Sequence, residues 1–399
     1  MEINKPYLIL EINDEKFIFL VFQYNDDLDY KIISKRIIES IGIKSGKIID
    51  INSSSKILKK NVTEIEKEIN FTFKNITIVN TQKDYNCINI SGYKNIGGSQ
   101  ILKEDISHLI NDIKKTILDD NPFKSLIHIF NSNFFLDNSQ LDNPPIGLHG
   151  EFYNHHLTFF LLPKNDLKNL QLVLNSCNLI VEKIIFKHFT KGIEKIKQIK
   201  DNESFLLIDI KKKFSSIVNF DNSSFTYAEE FSFGSDIIMK DVSKLCKLNL
   251  NTVEKIFKEN SFDKINTSEN ICLDKKYFSK EIFRKISFCH LRDIVDARVG
   301  EIVGLIYKQN ANLKYFKQKN KNIYIIFEDE NFYNNFQLIF KKNFIQKNNI
   351  TFFKPTIEDQ LGSCMSTADL IGKGWYKEAI SVISAKKSFI SKIFTSLFS

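Results

Sequence analysis

His128, His149, His188 and His290 are where acid–base or metal chemistry would first be sought, because imidazole titrates near neutrality and is the commonest nitrogen ligand. None has a nucleophile or a second ligand at a telling spacing, so they are expected to be structural or surface histidines. His155 and His156 are adjacent within EFYNHHLTFFLLP (151–163), which reads as a strand. Neighbours on a strand point to opposite faces, which argues against a shared metal. Asp293 and Asp296 lie one helical turn apart, the usual mark of a solvated face. Cys87, Cys177, Cys246, Cys272, Cys289 and Cys364 are far apart with no CxxC pair. That spacing predicts buried thiols in a reducing compartment and no zinc site. No catalytic residue and no metal ligand is expected.

Phosphate chemistry fares no better at first sight. Loops that cradle phosphate need glycine for tight turns and close backbone approach. The chain has only 14 glycines in 399 residues, about half the usual share, and neither GxGxxG nor a Walker sequence. Net charge is +8, but the 56 basic residues are interspersed with 48 acidic ones, so no nucleic-acid partner is expected. The opening MEINKPYLILEINDEKFIFLVF carries acids where a signal peptide needs a basic start. No stretch reaches the ~20 apolar residues of a spanning helix, and a cytoplasmic location is expected.

One stretch has a different chemistry. In KKSFISKIFTSLFS (386–399), Phe389, Ile390, Ile393, Phe394, Leu397 and Phe398 fall on one half of a helical wheel, and Ser, Thr and Lys392 fill the other half. Lys386 and Lys387 precede it. The pattern fits a last core helix, or a helix lying on a membrane surface with lysines at anionic headgroups.

The remaining patterns supply the elements. YLILEI and KFIFLVF read as strands joined by a tight turn at Asn13–Asp14, and a further strand ends near Gly42. A helical pattern covers 55–70 and a strand 73–80; after a strand and glycine turn comes a helix at 103–118. SLIHIF and NFFLD read as two strands, followed by the loop NSQLDNPPIGLHG and the strand at 151–163. The second half repeats the grammar. A helix (165–177) and strand precede a three-stranded meander, FLLID, SSIVNF and SFTYAEEFSF, and a helix from Asp236. Residues 249–287 read as helical and polar, and 289–309 as a long helix. Then come a strand (322–329), a helix (331–342), a strand near 350–353 and a helix at 366–384. Two similar halves imply an α/β architecture built by duplication.

This order, with the motifs it carries, resembles the bacterial cell-division protein FtsA family of the actin-like ATPase superfamily. ILKEDI (101–106) opens a helix as the family's inserted domain does. LIHIFNSNFFLD keeps His128, Phe134 and Asp137, and PIGLHG keeps Pro145, Gly147 and Gly150. GSDIIMKDV keeps Gly234, Asp236 and Asp241, and IVDARVGEI keeps Ala297, Arg298, Glu301 and Ile302. The chain departs at the nucleotide loops. The family's first phosphate loop, like D-I-G-T-T-K, is Glu11-Ile12-Asn13-Asp14-Glu15-Lys16. The second, like D-I-G-G-G-T-T-D, is Asp209-Ile210-Lys211-Lys212-Lys213-Phe214-Ser215-Ser216. The glycine-bearing adenosine loop is FEDEN (327–331).

The resemblance implies a divergent member with an actin-like (ribonuclease-H-like) two-lobed α/β fold, the inserted small domain (the SHS2 domain) and a C-terminal amphipathic helix. The implied layout is a first lobe at 1–82, the inserted domain at 83–163 and a return to the first lobe at 164–202. The second-lobe core (203–247), a helical subdomain (248–287), more second-lobe core with a return to the first lobe (288–371), and a linker with the membrane-targeting helix (372–399) complete it. ATP with Mg2+ is the family's cofactor; Lys16, Asp209, Gly234 and Glu301 survive as nucleotide contacts, and with the loops degraded no enzyme activity is expected. Lys386, Lys387, Phe389, Ile390, Lys392, Ile393, Phe394, Leu397 and Phe398 become the membrane contact. The implied function is an adaptor tethering the FtsZ polymer to the cytoplasmic face of the inner membrane at the division septum. Its partners would be FtsZ, anionic lipids, later division proteins at the inserted domain, and further copies of itself. An active actin-like ATPase and a pilus-assembly actin homologue are the alternatives.

Overall fold

The structure is a computed structural model that describes residues 5–199, 204–264, 271–278, 282–315, 322–344, 349–354 and 359–381. The chain opens with β1 (Pro6–Ile12), β2 (Lys16–Tyr24) and β3 (Tyr30–Glu39). A ribbon of β4 (Ile43–Lys44) and β5 (Lys47–Ile48) leads to helix α1 (Ile51–Ile69) and strand β6 (Asn75–Asn80). Asp50 caps α1 by accepting from Ser53 N–H at 3.1 Å, and Asn70 ends it in the left-handed conformation.

Next come β7 (Asn86–Asn95), α2 (Lys103–Asp120), β8 (Lys124–Leu136), β9 (Ser139–Leu141) and β10 (Phe152–Pro163). They are followed by α3 (Lys164–Asn175), β11 (Ile180–Phe186) and α4 (Lys187–Ile199). The second half runs through β12 (Phe205–Ile210), β13 (Ser215–Asp221), β14 (Ser224–Phe231), α5 (Asp236–Cys246), α6 (Leu250–Glu259) and α7 (Phe288–Val303). It closes with β15 (Asn322–Phe327), α8 (Glu330–Asn343), β16 (Ile350–Phe353), α9 (Asp359–Lys373) and β17 (Glu378–Ser381).

Two sheets share one topology. The first has the order β11-β6-β1-β2-β3, the other β16-β15-β12-β13-β14. In each, the middle strand pairs antiparallel with its successor and parallel with a later strand, which in turn pairs parallel with another. The middle strands are buried along almost their whole length, as a sheet covered on both faces requires. Helix α9 returns from the far end of the chain to place Cys364 and Ala368 against Ile9, Ile18, Leu20 and Phe22 of the first sheet.

A third sheet, β17-β8-β10-β7, is separate from both. Ile106, Leu109, Ile113 and Ile117, spaced along one face of α2, pack on its Phe134, Tyr153, Leu157 and Phe159. The chain groups into two compact units. Among the described residues, one comprises those within 5–199, 221–227 and 359–381, the other those within 204–220 and 228–354.

Four expectations are corrected. SLIHIF and NFFLD form one strand, β8, because pairing with β10 continues through the polar stretch between them, with a shift of register at Ser132. Among the described residues of 249–287 only α6 is α-helical; short 3-10 turns at 262–264 and 275–278 follow. The helix expected at 366–384 spans 359–373 instead and stops before Gly374, whose φ is +68°. Residues 378–381 are therefore not linker: they form β17, paired antiparallel with β8. Helix α4, rich in lysine, was not expected at all.

Candidate functional site

Two of the loops singled out in the sequence leave the ends of the middle strands, β1 in one unit and β12 in the other. After β1, Asn13 organises the turn. Its N–H donates to Lys16 O at 3.1 Å, and its Oδ1 accepts from the backbone N–H groups of Glu15 (3.0 Å) and Lys16 (2.7 Å). This side-chain turn engages backbone donors of the kind a phosphate loop presents to its ligand. The Asn13 amide also donates to Glu11 Oε1 at 3.0 Å.

Glu11 is fully buried, and the same oxygen accepts from the Lys187 ammonium. Lys187 is the first residue of α4. Glu11 Oε2 has no hydrogen-bond partner among the described residues. Cys364 is fully buried too, and burial with the nearby Glu11 charge pushes its thiol well up.

Asp14 does not face an open loop: its Oδ1 accepts from Gly46 N–H at 2.6 Å and Lys83 Nζ lies 3.8 Å from its carboxylate. Gly46 has φ +71°, and a Cβ there would come within 2.6 Å of the Gln82 backbone, so only glycine lets the ribbon lie this close. Lys47 bonds Asp84 (2.8 Å) and Asp166 (3.1 Å), and its hydrogen bond holds the Asp84 carboxyl below the usual range. Lys16 Nζ reaches Gln360 Oε1 at 3.4 Å.

The second loop is closed differently. Lys211 N–H donates to Phe214 O at 2.9 Å. Lys212 N–H donates to a carboxylate, Glu328 Oε2, at 3.0 Å, and Glu328 N–H donates back to Ile210 O at 3.1 Å. Glu328 belongs to FEDEN, so the loops after β12 and β15 bind each other. The carbonyls of Lys211 and Lys212 accept from Ser235 and Asp236 N–H, each at 2.9 Å, so donors at the start of α5 are also engaged. Gly234 makes this possible: a Cβ there would sit 2.1 Å from Lys211 O.

Of the residues expected to contact nucleotide, Gly234 thus meets the loop that follows buried Asp209. Glu301 lies on α7, where it accepts from Arg298 Nη1 at 2.5 Å; Arg298 in turn bonds Asp241 of α5. Lys16 belongs to the other unit. The expected membrane contacts, Lys386 to Phe398, lie outside the described residues.

His128 and His155 are held inside the fold. His128 Nε2 accepts from Phe186 N–H at 3.2 Å, which puts its proton on Nδ1, 2.6 Å from Glu378 Oε1. That bond fastens β17 to β8. His155 is fully buried against Phe134 and Tyr153, and burial lowers its pKa to about 3. His156 sits half-buried on the opposite face. No cluster of three or more potential metal ligands occurs among the described residues.

Sequence reasoning missed Asn13 as an organiser, Lys187 and Glu328. An asparagine with free backbone donors two and three residues on is a side-chain turn signal. Lys187 and Glu328 act across 176 and 116 residues, and no local pattern marks them.

No protein-family profile matches the chain. It is similar to curated cell division proteins FtsA. The protein from Buchnera aphidicola subsp. Schizaphis graminum is 24% identical over 316 residues, covering 78% of this chain and 73% of the relative. That from Neisseria meningitidis serogroup B is 20% identical over 310 residues, 77% and 74% of the two chains. Among solved structures, the PilM-PilN type IV pilus biogenesis complex superposes with a TM-score of 0.54 over 92% of this chain and 99% of the other, at 10% identity. The fold is the actin-like α/β fold, and the chain is similar to FtsA over about three quarters of its length.

Proposed function

We propose that this chain is a cell-division adaptor of the FtsA type, which tethers FtsZ polymers to the inner face of the cytoplasmic membrane at the septum without working as an ATPase. The similarity to FtsA over most of the chain supports a cell-division role. The observation that carries the non-enzymatic part is the state of the two loops: Asn13 and Glu328 accept from the N–H groups of Glu15, Lys16 and Lys212. An actin-type ATPase needs such donors for phosphate.

In this reading residues 386–399 are the membrane contact. Fully buried, each of the six apolar side chains gives roughly 1.5–3 kcal/mol; insertion to the headgroup boundary realises part of it, and each lysine adds about 1 kcal/mol on an anionic surface. One tail binds reversibly, and several on one assembly bind firmly through effective concentration. FtsZ would engage the subdomain at 248–287, and later division proteins the inserted domain at 83–163.

The test is co-sedimentation of FtsZ with anionic liposomes, with and without this protein. FtsZ should pellet with the liposomes only when the protein is present, and Phe394→Asp should abolish this while leaving the melting temperature unchanged. If Phe394→Asp lowers the melting temperature while liposome binding persists, the tail is a core helix and the tether is wrong. Sustained ATP turnover by the purified chain would restore the ATPase reading.

A further inference from the structure

The first loop raises a question that the adaptor role does not answer: what balances the charge of Glu11. A carboxylate with no exposure must be paired or protonated. At the end of a middle strand, beside a loop of the phosphate-binding kind, the ordinary partner of such a carboxylate is the Mg2+ that accompanies a nucleotide.

The residues present do not fit that group. The Lys187 ammonium, on a side chain only 20% exposed, is already bonded to Glu11 Oε1. Asn13 Nδ2 holds the same oxygen. Only Oε2 is left open, and a dication bound there would face the Lys187 ammonium on the same carboxylate. The adjoining N–H groups of Glu15 and Lys16 are taken by Asn13, so phosphate cannot complete the shell. The placement of Lys187 is itself informative. It opens helix α4, where the helix dipole disfavours a cation; the buried carboxylate across the sheet offsets that cost.

We propose that Lys187 is the built-in cation of this site: its ammonium stands in for the divalent ion against Glu11, and together with Asn13 it holds residues 11–16 in a self-satisfied state that forms without metal or nucleotide. The proposal rests on reading these residues as the counterpart of the first phosphate loop, not on the membrane tether.

The experiment is thermal unfolding of the full chain in Mg2+ or Mn2+, against KCl of equal ionic strength. Wild type should show no shift beyond the KCl control. Lys187→Ala should melt about 10 °C lower, as expected for a buried charge left without its partner, and should regain stability in Mn2+. Adding Glu11→Gln to Lys187→Ala should remove the Mn2+ response. The neutral pair Glu11→Gln/Lys187→Met guards against a variant that does not fold: it should fold and remain insensitive to cations. A wild-type melting temperature raised by Mn2+, a Lys187→Ala protein as stable as wild type, or a neutral pair that fails to fold would each overturn the proposal. None of these readouts involves lipid or FtsZ, so failure here and failure of the tether are distinguishable.

Discussion

The loop after β1 and the loop after β12 occupy equivalent places in two sheets of the same topology, yet they are closed in opposite ways. The first is closed from within. Asn13 serves donors two and three residues away and steadies Glu11, and a single remote residue, Lys187, supplies the charge. The second is closed from outside, by Glu328 after β15 and by the start of α5 lying across it. Neither loop is therefore an empty cradle. In each loop a side-chain acceptor now holds backbone N–H groups, as the general cost of an unpaired polar group demands.

The largest expected effect breaks the second loop. Gly234→Ala puts a Cβ 2.1 Å from Lys211 O and 2.6 Å from Lys212 O, contacts that backbone cannot relieve cheaply. A loss of about 3 kcal/mol or more in denaturant unfolding is expected. Gly46→Ala is the counterpart beside the first loop, with positive φ and a 2.6 Å approach to the Gln82 backbone, and should cost a similar amount.

Acid must be controlled before either loop is compared by pH, because His155 lies in the third sheet and responds on its own. Burial holds its pKa at about 3, against an ordinary value of 6.5. The folded state thus binds fewer protons than the unfolded chain, so stability is complete above pH 6.5 and falls as pH drops toward 3. At pH 5 the loss should be about 2 kcal/mol. His155→Phe should flatten this part of the stability profile; an unchanged slope would show that the acid response comes from elsewhere.

The smallest effects separate local from remote closure. Asn13→Ala frees the N–H groups of Glu15 and Lys16 and should cost about 1 kcal/mol. Glu328→Ala frees one N–H at an exposed turn and should cost about half as much. Equal losses would mean that the two closures do not differ in energy.

How far the sequence reveals this depends on how locally each feature is encoded. The meanders, α1, α2 and the covered middle strands follow from periodicity and apolar runs. Four-residue β17 carries too little pattern to compete with the helical signal before it; it exists because the edge of β8 pairs with it and His128 holds Glu378. The absence of glycine from the loops is plain in the sequence. What closes them is not: Lys187 reads as one more lysine in a lysine-rich chain, and Glu328 as one acid in FEDEN. Their partners are set by the parallel pairing of β12 with β15 and by the course of α4 from β11, which only the fold specifies.

The claim that both loops are satisfied by the chain's own side chains is tested most directly by isothermal titration of the full chain with Mg-ATP. No binding tighter than high micromolar is expected, with or without added Mg2+. A low-micromolar or tighter constant would contradict the account, since the N–H groups now held by Asn13 and Glu328 would then be free for phosphate.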